Sequence, residues 1–146
     1  MKLNLLLVGL IGVGGLFSFY GNHPKITHLD LGYKEVMRCN GVFAENNDLY
    51  YNKYWFFGRD TVNNCGLIRF EGHQEKTQLP IVTSITKKRK RGDEWKEIYA
   101  NDSIQVTLVG HPIPRQIQRT FSYDVDFEMS YKGDTLKQVL IGHCKF

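Results

Sequence analysis

Five consecutive cations, Lys87, Lys88, Arg89, Lys90 and Arg91, are the densest chemistry in this chain. Such a run neutralises phosphates and releases their counterions when nucleic acid binds, which makes binding salt-sensitive. The same run can meet an acidic partner, offer dibasic cleavage sites, serve as a localisation signal after entry into another cell, or only solvate a loop. His73, His111 and His143, with Asp124, Asp126 and Glu128 at alternate positions, are the groups able to trade protons. No nucleophile, base and orienting group stand in a complete motif, so no catalytic residue is assigned. His111, between Gly110 and Pro112, is a candidate donor to an anion, and the three carboxylates read as a solvated strand face. Cys39, Cys65 and Cys144 are isolated, with no Cys-x-x-Cys spacing, so no metal site is expected, and no cofactor motif is present. Asn101-Asp102-Ser103 is a glycosylation sequon, which marks Asn101. The tyrosine-rich stretch 50–57 offers rings that could stack on bases, and reads first as a packing face.

These residues are carried on a chain of 146 residues that opens with an apolar run, 3–20, after Lys2. Positive start and apolar core read as a secretory signal peptide, 1–21, with an uncleaved anchor as the alternative. What remains is one ordinary domain: an N-terminal arm over 22–35, expected to be flexible, and a folded body over 36–146. The net charge of +4 is uneven. Five of its cations stand at 87–91 and Lys2 lies in the leader, so the rest of the chain is mildly acidic. Three cysteines in an exported chain imply one bridge and one leftover thiol, or an intermolecular bond. Cys39–Cys144 is the expected bridge, closing a loop of roughly 100 residues for about 4–5 kcal/mol in the chain-entropy model, and Cys39–Cys65 is its rival.

The elements follow from periodicity and punctuation. Asn46-Asn47-Asp48 offers helix caps before 49–57, with Gly58 as a stop, although the aromatic density there also suits a strand. Stretches 67–70 and 79–86 read as strands, and 87–97 as a charged loop. Ile104, Val106 and Leu108 alternate with polar neighbours. Phe121, Tyr123, Val125, Phe127, Met129 and Tyr131 then alternate with Ser122, Asp124, Asp126, Glu128 and Ser130. That period of two is a strand with one face buried. Lys132-Gly133-Asp134 turns the chain back into 136–141. The expected fold is α+β: one short N-terminal helix packed on a curved antiparallel sheet of four or five strands, with one disulfide.

The order of several short elements then resembles a family. Cys39-Asn40-Gly41 before a helix, His111-Pro112-Ile113 before a long hairpin, Val125-Asp126-Phe127, the turn at Gly133, Leu136, Val139 and the closing Cys144-x-Phe146 are similar to the secreted ribonuclease-like effectors of powdery mildew fungi. Those effectors descend from small microbial guanyl-preferring ribonucleases. The likeness covers 36–146. Met37 replaces the family's aromatic, Cys65 is additional, and 87–97 looks inserted. In that alignment the catalytic glutamate falls on Gly110, the phosphate-holding arginine on Asp124, and the last-strand histidine on Gly142, one residue from His143. Leu79-Pro80-Ile81 lacks the polar groups of the family's Tyr-Pro-His element. The resemblance therefore implies a ribonuclease fold kept and its catalytic set lost.

The expected function is a secreted, non-catalytic virulence effector that binds host RNA or host proteins as a monomer, with delivery into the host cell left open. Lys87, Lys88, Arg89, Lys90, Arg91 and His111 are its candidate contacts, with no stable membrane association once the leader is removed. The enzyme alternative is an active ribonuclease using His111, Glu128 and His143, which requires those side chains to converge. The structural alternative is a small β-rich domain held at a membrane by its leader.

Overall fold

In a computed structural model the structure describes residues 24–84, 93–114 and 122–144. Nine strands and two short helices lie among them. β1 is Ile26–Thr27, α1 Tyr33–Arg38, β2 Cys39–Ala44, α2 Asn47–Tyr51, β3 Phe57–Asp60, β4 Cys65–Phe70 and β5 Thr77–Ser84. β6 (Trp95–Ala100), β7 (Ile104–Pro112), β8 (Tyr123–Tyr131) and β9 (Asp134–Cys144) complete the set. From β2 to β9 every strand pairs antiparallel with the next, and β9 pairs back on β2. The result is a closed eight-stranded barrel, with β1 added on β4.

This corrects the expected α+β fold. Among the described residues no helix packs inside a curved open sheet. The helix expected over 49–57 shrinks to α2, capped as anticipated by the Asn46 side chain, which accepts from the Leu49 N–H at 3.0 Å. Beyond it the Phe56 N–H donates to the Phe43 carbonyl at 2.7 Å, and Phe57 opens β3. Strand β6 lies partly within the expected loop 87–97. β3 and β6 escape a hydrophobic reading because each turns a charge inward, Arg59 and Glu97, both buried. The alternations over 104–108 and 123–131 are strands as read, and the hairpin between β8 and β9 turns at Lys132 and Gly133, both with positive φ.

The sheet separates two cores. Inside, Phe43, Phe57, Trp95, Tyr123, Phe127 and Leu140 belong to one cluster that fills the barrel. Eight strands leave an interior just wide enough for side chains to fill. Outside, residues of the arm cover β2–β4: Leu29, fully buried, packs with Trp55, Cys65 and Leu67, and Val36 and Cys39 lie against them. The Leu29 N–H donates to the Trp55 carbonyl at 2.6 Å.

The expected disulfide is also corrected: Cys39, Cys65 and Cys144 are all free thiols. Cys39 packs in the outer cluster and Cys144 in the inner one, on opposite faces of the sheet. The rival pair, Cys39 and Cys65, is held apart by β3, since both stand opposite Asp60. Two strand spacings, about 9–10 Å, exceed the span of a disulfide.

Gly110 and Gly142, the positions aligned with a catalytic glutamate and histidine, have packing roles. A Cβ on Gly110 would overlap the Trp95 indole, and one on Gly142 would overlap the Val42 carbonyl oxygen. Gly110→Ala should therefore cost about 1–3 kcal/mol through overpacking, read as a lowered urea midpoint. An unchanged midpoint would contradict the packing of Trp95 against this strand.

Candidate functional site

The barrel has two unlike ends. At one, called here the turn end, β2 stops and the short connections β4–β5, β6–β7 and β8–β9 lie together with α2. At the other, the loop end, β5 stops at Ser84, β6 starts at Trp95, β7 stops at Pro112 and β8 starts at Tyr123. Lys87, Lys88, Arg89, Lys90 and Arg91 lie outside the described residues; their neighbours in sequence, Ser84 and Asp93, stand at the loop end. Asn101 lies in the β6–β7 turn at the turn end, exposed, its Oδ1 accepting from the Ser103 N–H at 2.9 Å and the Ile104 N–H at 2.8 Å.

Within the barrel, the inward charges of β3 and β6 meet. Arg59 donates from Nε and Nη2 to the two Glu97 oxygens, each at 2.7 Å, and the Tyr99 hydroxyl donates to Glu97 Oε2 at 2.5 Å. The guanidinium lies 5.0 Å from the Trp95 ring centroid. Burial works against the Arg59 charge, but the hydrogen bond and charge of Glu97 outweigh it and raise the pKa. Burial, then the Glu97 charge, pushes the Tyr99 phenol up. The pair is a fixed internal strut, and its forked geometry leaves little freedom for a substrate. Nothing in the sequence announces it, because its members are 38 residues apart.

On the outer wall, His111 joins three segments. Its Nε2 lies 2.8 Å from Asp126 Oδ2 and its Nδ1 3.0 Å from Glu94 Oε2. The Asp126 hydrogen bond, with that of Glu94, raises the His111 pKa against a smaller desolvation cost. Two carboxylates on one imidazole select the doubly protonated ring, so His111 is engaged by acids rather than aimed at an external anion. His143 Nδ1 lies 2.8 Å from the Ser122 hydroxyl, and Tyr50 stacks edge-on to the ring at 5.9 Å. His111, Glu128 and His143 share the outer face without converging. His111 stands opposite Asp124, whereas Glu128 is four residues farther along β8, about 13 Å at the strand rise. Among the described residues no group of His, Cys, Asp and Glu is arranged to hold a metal ion. Burial, then Asp60, pushes the Cys39 thiol up to about 11, and burial raises Cys65, so neither is an activated thiolate.

The open surface with mixed chemistry is at the turn end. Two adjoining clefts, about 390 and 380 Å³, share Ile26, Thr27, Glu45 and Phe56. The first continues to His28 and Tyr54, whose rings meet edge-on at 4.7 Å. The second reaches Leu136 and Gln138 of β9. The Phe56 ring rests edge-on against Phe127 of the interior at 5.1 Å, so the cleft floor is part of the barrel core. Glu45 is an exposed carboxylate between these apolar walls. Glu45 was not singled out in the sequence, and Phe56 only as one of the aromatics over 50–57.

Compared with protein families, curated proteins and solved structures, the chain matches none.

Two outcomes follow from these sites. Glu97→Gln leaves the Arg59 charge buried and uncompensated, so it should cost about 3–5 kcal/mol by urea unfolding, whereas Arg59→Met with Glu97→Leu should recover most of that loss. Equal losses in the single and double variants would contradict the strut. His111 has a folded pKa above its unfolded value near 6.5. Its contribution to stability is therefore full below about pH 6.5 and is lost as pH rises through the folded value. His111→Gln should destabilise at about pH 5.5 and have little effect at about pH 9, compared by thermal unfolding. The same loss at both would refute the carboxylate clasp.

Proposed function

We propose that the chain is an exported, non-catalytic binding protein whose barrel is a rigid mount for the turn-end clefts. One observation carries this reading: an exposed carboxylate, Glu45, lies among Ile26, Leu49, Tyr54 and Phe56 in adjoining clefts floored by the barrel core. Apolar walls with a few polar groups are the usual form of a ligand site. Two other sets of charged groups hold one another: Arg59 with Glu97, and His111 with Asp126 and Glu94.

Of the two partner classes expected from the sequence, RNA and protein, the clefts favour protein. An anionic residue in the binding surface repels phosphate, and the ribonuclease scaffold that supported RNA is not the fold observed. What supports RNA is the cationic run 87–91, which lies outside the described residues and follows β5 in sequence. The two readings therefore rest on different residues.

Amide shifts of the purified chain discriminate them. Hexylammonium, a cation with an apolar tail, should shift Thr27, Glu45 and Phe56 with a Kd in roughly the millimolar range, the strength open to so small a ligand. Glu45→Gln should weaken it several-fold. A single-stranded RNA 12-mer should remain uncut and leave those amides unmoved. Turnover of the RNA, or hexylammonium shifts confined to the loop end, would overturn the proposal.

A further inference from the structure

The clefts sit where one lane of the sheet stops short. β2 ends at Ala44, opposite Ile141 of β9, but β9 begins at Asp134. Residues 136–140 of β9 therefore have β8 on one side and, among the described residues, no strand on the other. Along a strand, successive residues turn their N–H and C=O to opposite neighbours. The Gly142 carbonyl accepts from the Ser122 N–H at 3.1 Å on the β8 side. By that alternation Leu136, Gln138 and Leu140 face β8, while Lys137 and Val139 face the gap. The Val139 carbonyl receives one long contact, 3.5 Å, from the Gln138 side-chain amide. The Val139 side chain is 57% exposed, an unusual place for a large apolar group.

The far bank of the gap is β1. The Lys25 carbonyl accepts from the Glu71 N–H at 2.8 Å, so Lys25 and Thr27 face β4 and Ile26 faces outward. The second cleft lies between these banks, lined by Ile26, Thr27, Glu45, Phe56, Leu136 and Gln138. Both β1 and β9 run antiparallel to β2, β1 because it repeats the direction of β3 along β4. Among the described residues the gap is thus an unoccupied continuation of the β2 lane, with strand edges on both sides.

We propose that this lane takes one extended peptide segment of a partner protein, added as a strand antiparallel to both β1 and β9. The proposal rests on the reading that the turn-end clefts are the binding surface, and it names what they bind. Backbone groups of Ile26, Lys137 and Val139 supply the ladder, as in other strand-addition complexes. An apolar side chain of the peptide turns in toward Phe56 and Leu136. A lysine or arginine sits beside Glu45, which has no ion-pair partner among the described residues, whereas the flanking Lys25–Glu71 and Lys137–Glu128 pairs are already made. A second copy of the chain is the weaker occupant, because pairing two β9 edges would bring Lys137 of each copy together.

The test titrates the purified chain with the peptide acetyl-Lys-Val-Lys-Val-Lys-Val-amide and with the same peptide N-methylated at every second amide. Side chains are identical, and only ladder donors differ. Binding should move the amides of Ile26, Lys137 and Val139 and slow their hydrogen exchange, and N-methylation should weaken it at least tenfold. Val139→Pro removes a donor that faces the gap, so the barrel should keep its circular dichroism and lose tenfold in affinity. If that variant unfolds, the methylated and plain peptides on the unaltered chain still decide. Equal binding of the two peptides overturns strand addition, and so does a dimer that fills the lane at micromolar concentration. If hexylammonium still shifts Glu45 and Phe56, the cleft reading survives that failure; if neither ligand moves the turn end, both readings fall.

Discussion

Everything in this barrel is organised by a mismatch of strand lengths. Six residues of β2 must close a cylinder against the eleven of β9, and four Cα pairs do so, from Gly41 opposite Cys144 to Ala44 opposite Ile141. Where the lane is occupied, packing is tight enough that Gly142 has no room for a Cβ beside the Val42 carbonyl. Beyond Ala44 the chain diverts through α2 and returns at Trp55 and Phe56, leaving clefts over the core. Closure at one end and opening at the other are consequences of the same short strand.

The interior supports this as a scaffold. Aromatic rings fill it, with Trp95, Tyr123, Phe43, Phe57 and Phe127 among its largest buried side chains. The Arg59–Glu97 pair adds a directional constraint more than net stability, since buried ion pairs roughly offset their own desolvation. Its forked bonds, with Tyr99 and Trp95 against it, fix how β3 and β6 face each other across the barrel. A well-filled, cross-braced cylinder holds the banks of the lane at a set separation, which lowers the ordering cost of binding there.

The second half of the chain was legible because its strands obey simple alternation: Val106 and Leu108 in β7, then Val125, Phe127 and Met129 in β8, point inward as read. Before Ile104 the stretches 67–70 and 79–86 were read as strands and correspond to β4 and β5, but β3 and β6 were not legible. Arg59 and Glu97 are inward-facing charges, and each disguised its strand, β3 as a helix terminus and β6 as loop. Sequence cannot pair two ions 38 residues apart. The cysteines misled for another reason. Spacing says nothing of which face a side chain takes, and Cys39 and Cys144 lie on opposite sides of one sheet. The likeness to ribonuclease effectors rested on short elements such as His111-Pro112-Ile113 and Val125-Asp126-Phe127, and the α+β fold it implied is not the one observed. The clefts were illegible because an unfilled lane is a property of pairing.

The most direct test of the vacant lane is amide hydrogen exchange of the unliganded chain, resolved residue by residue along β9. With β8 on one side and, among the described residues, no strand on the other, Lys137 and Val139 should exchange orders of magnitude faster than Gln138 and Leu140, while Ile141 and His143, which face β2, stay protected. Uniform protection from Leu136 to His143 would mean that the lane is already filled, and the account of this barrel as an open-edged receptor would be wrong.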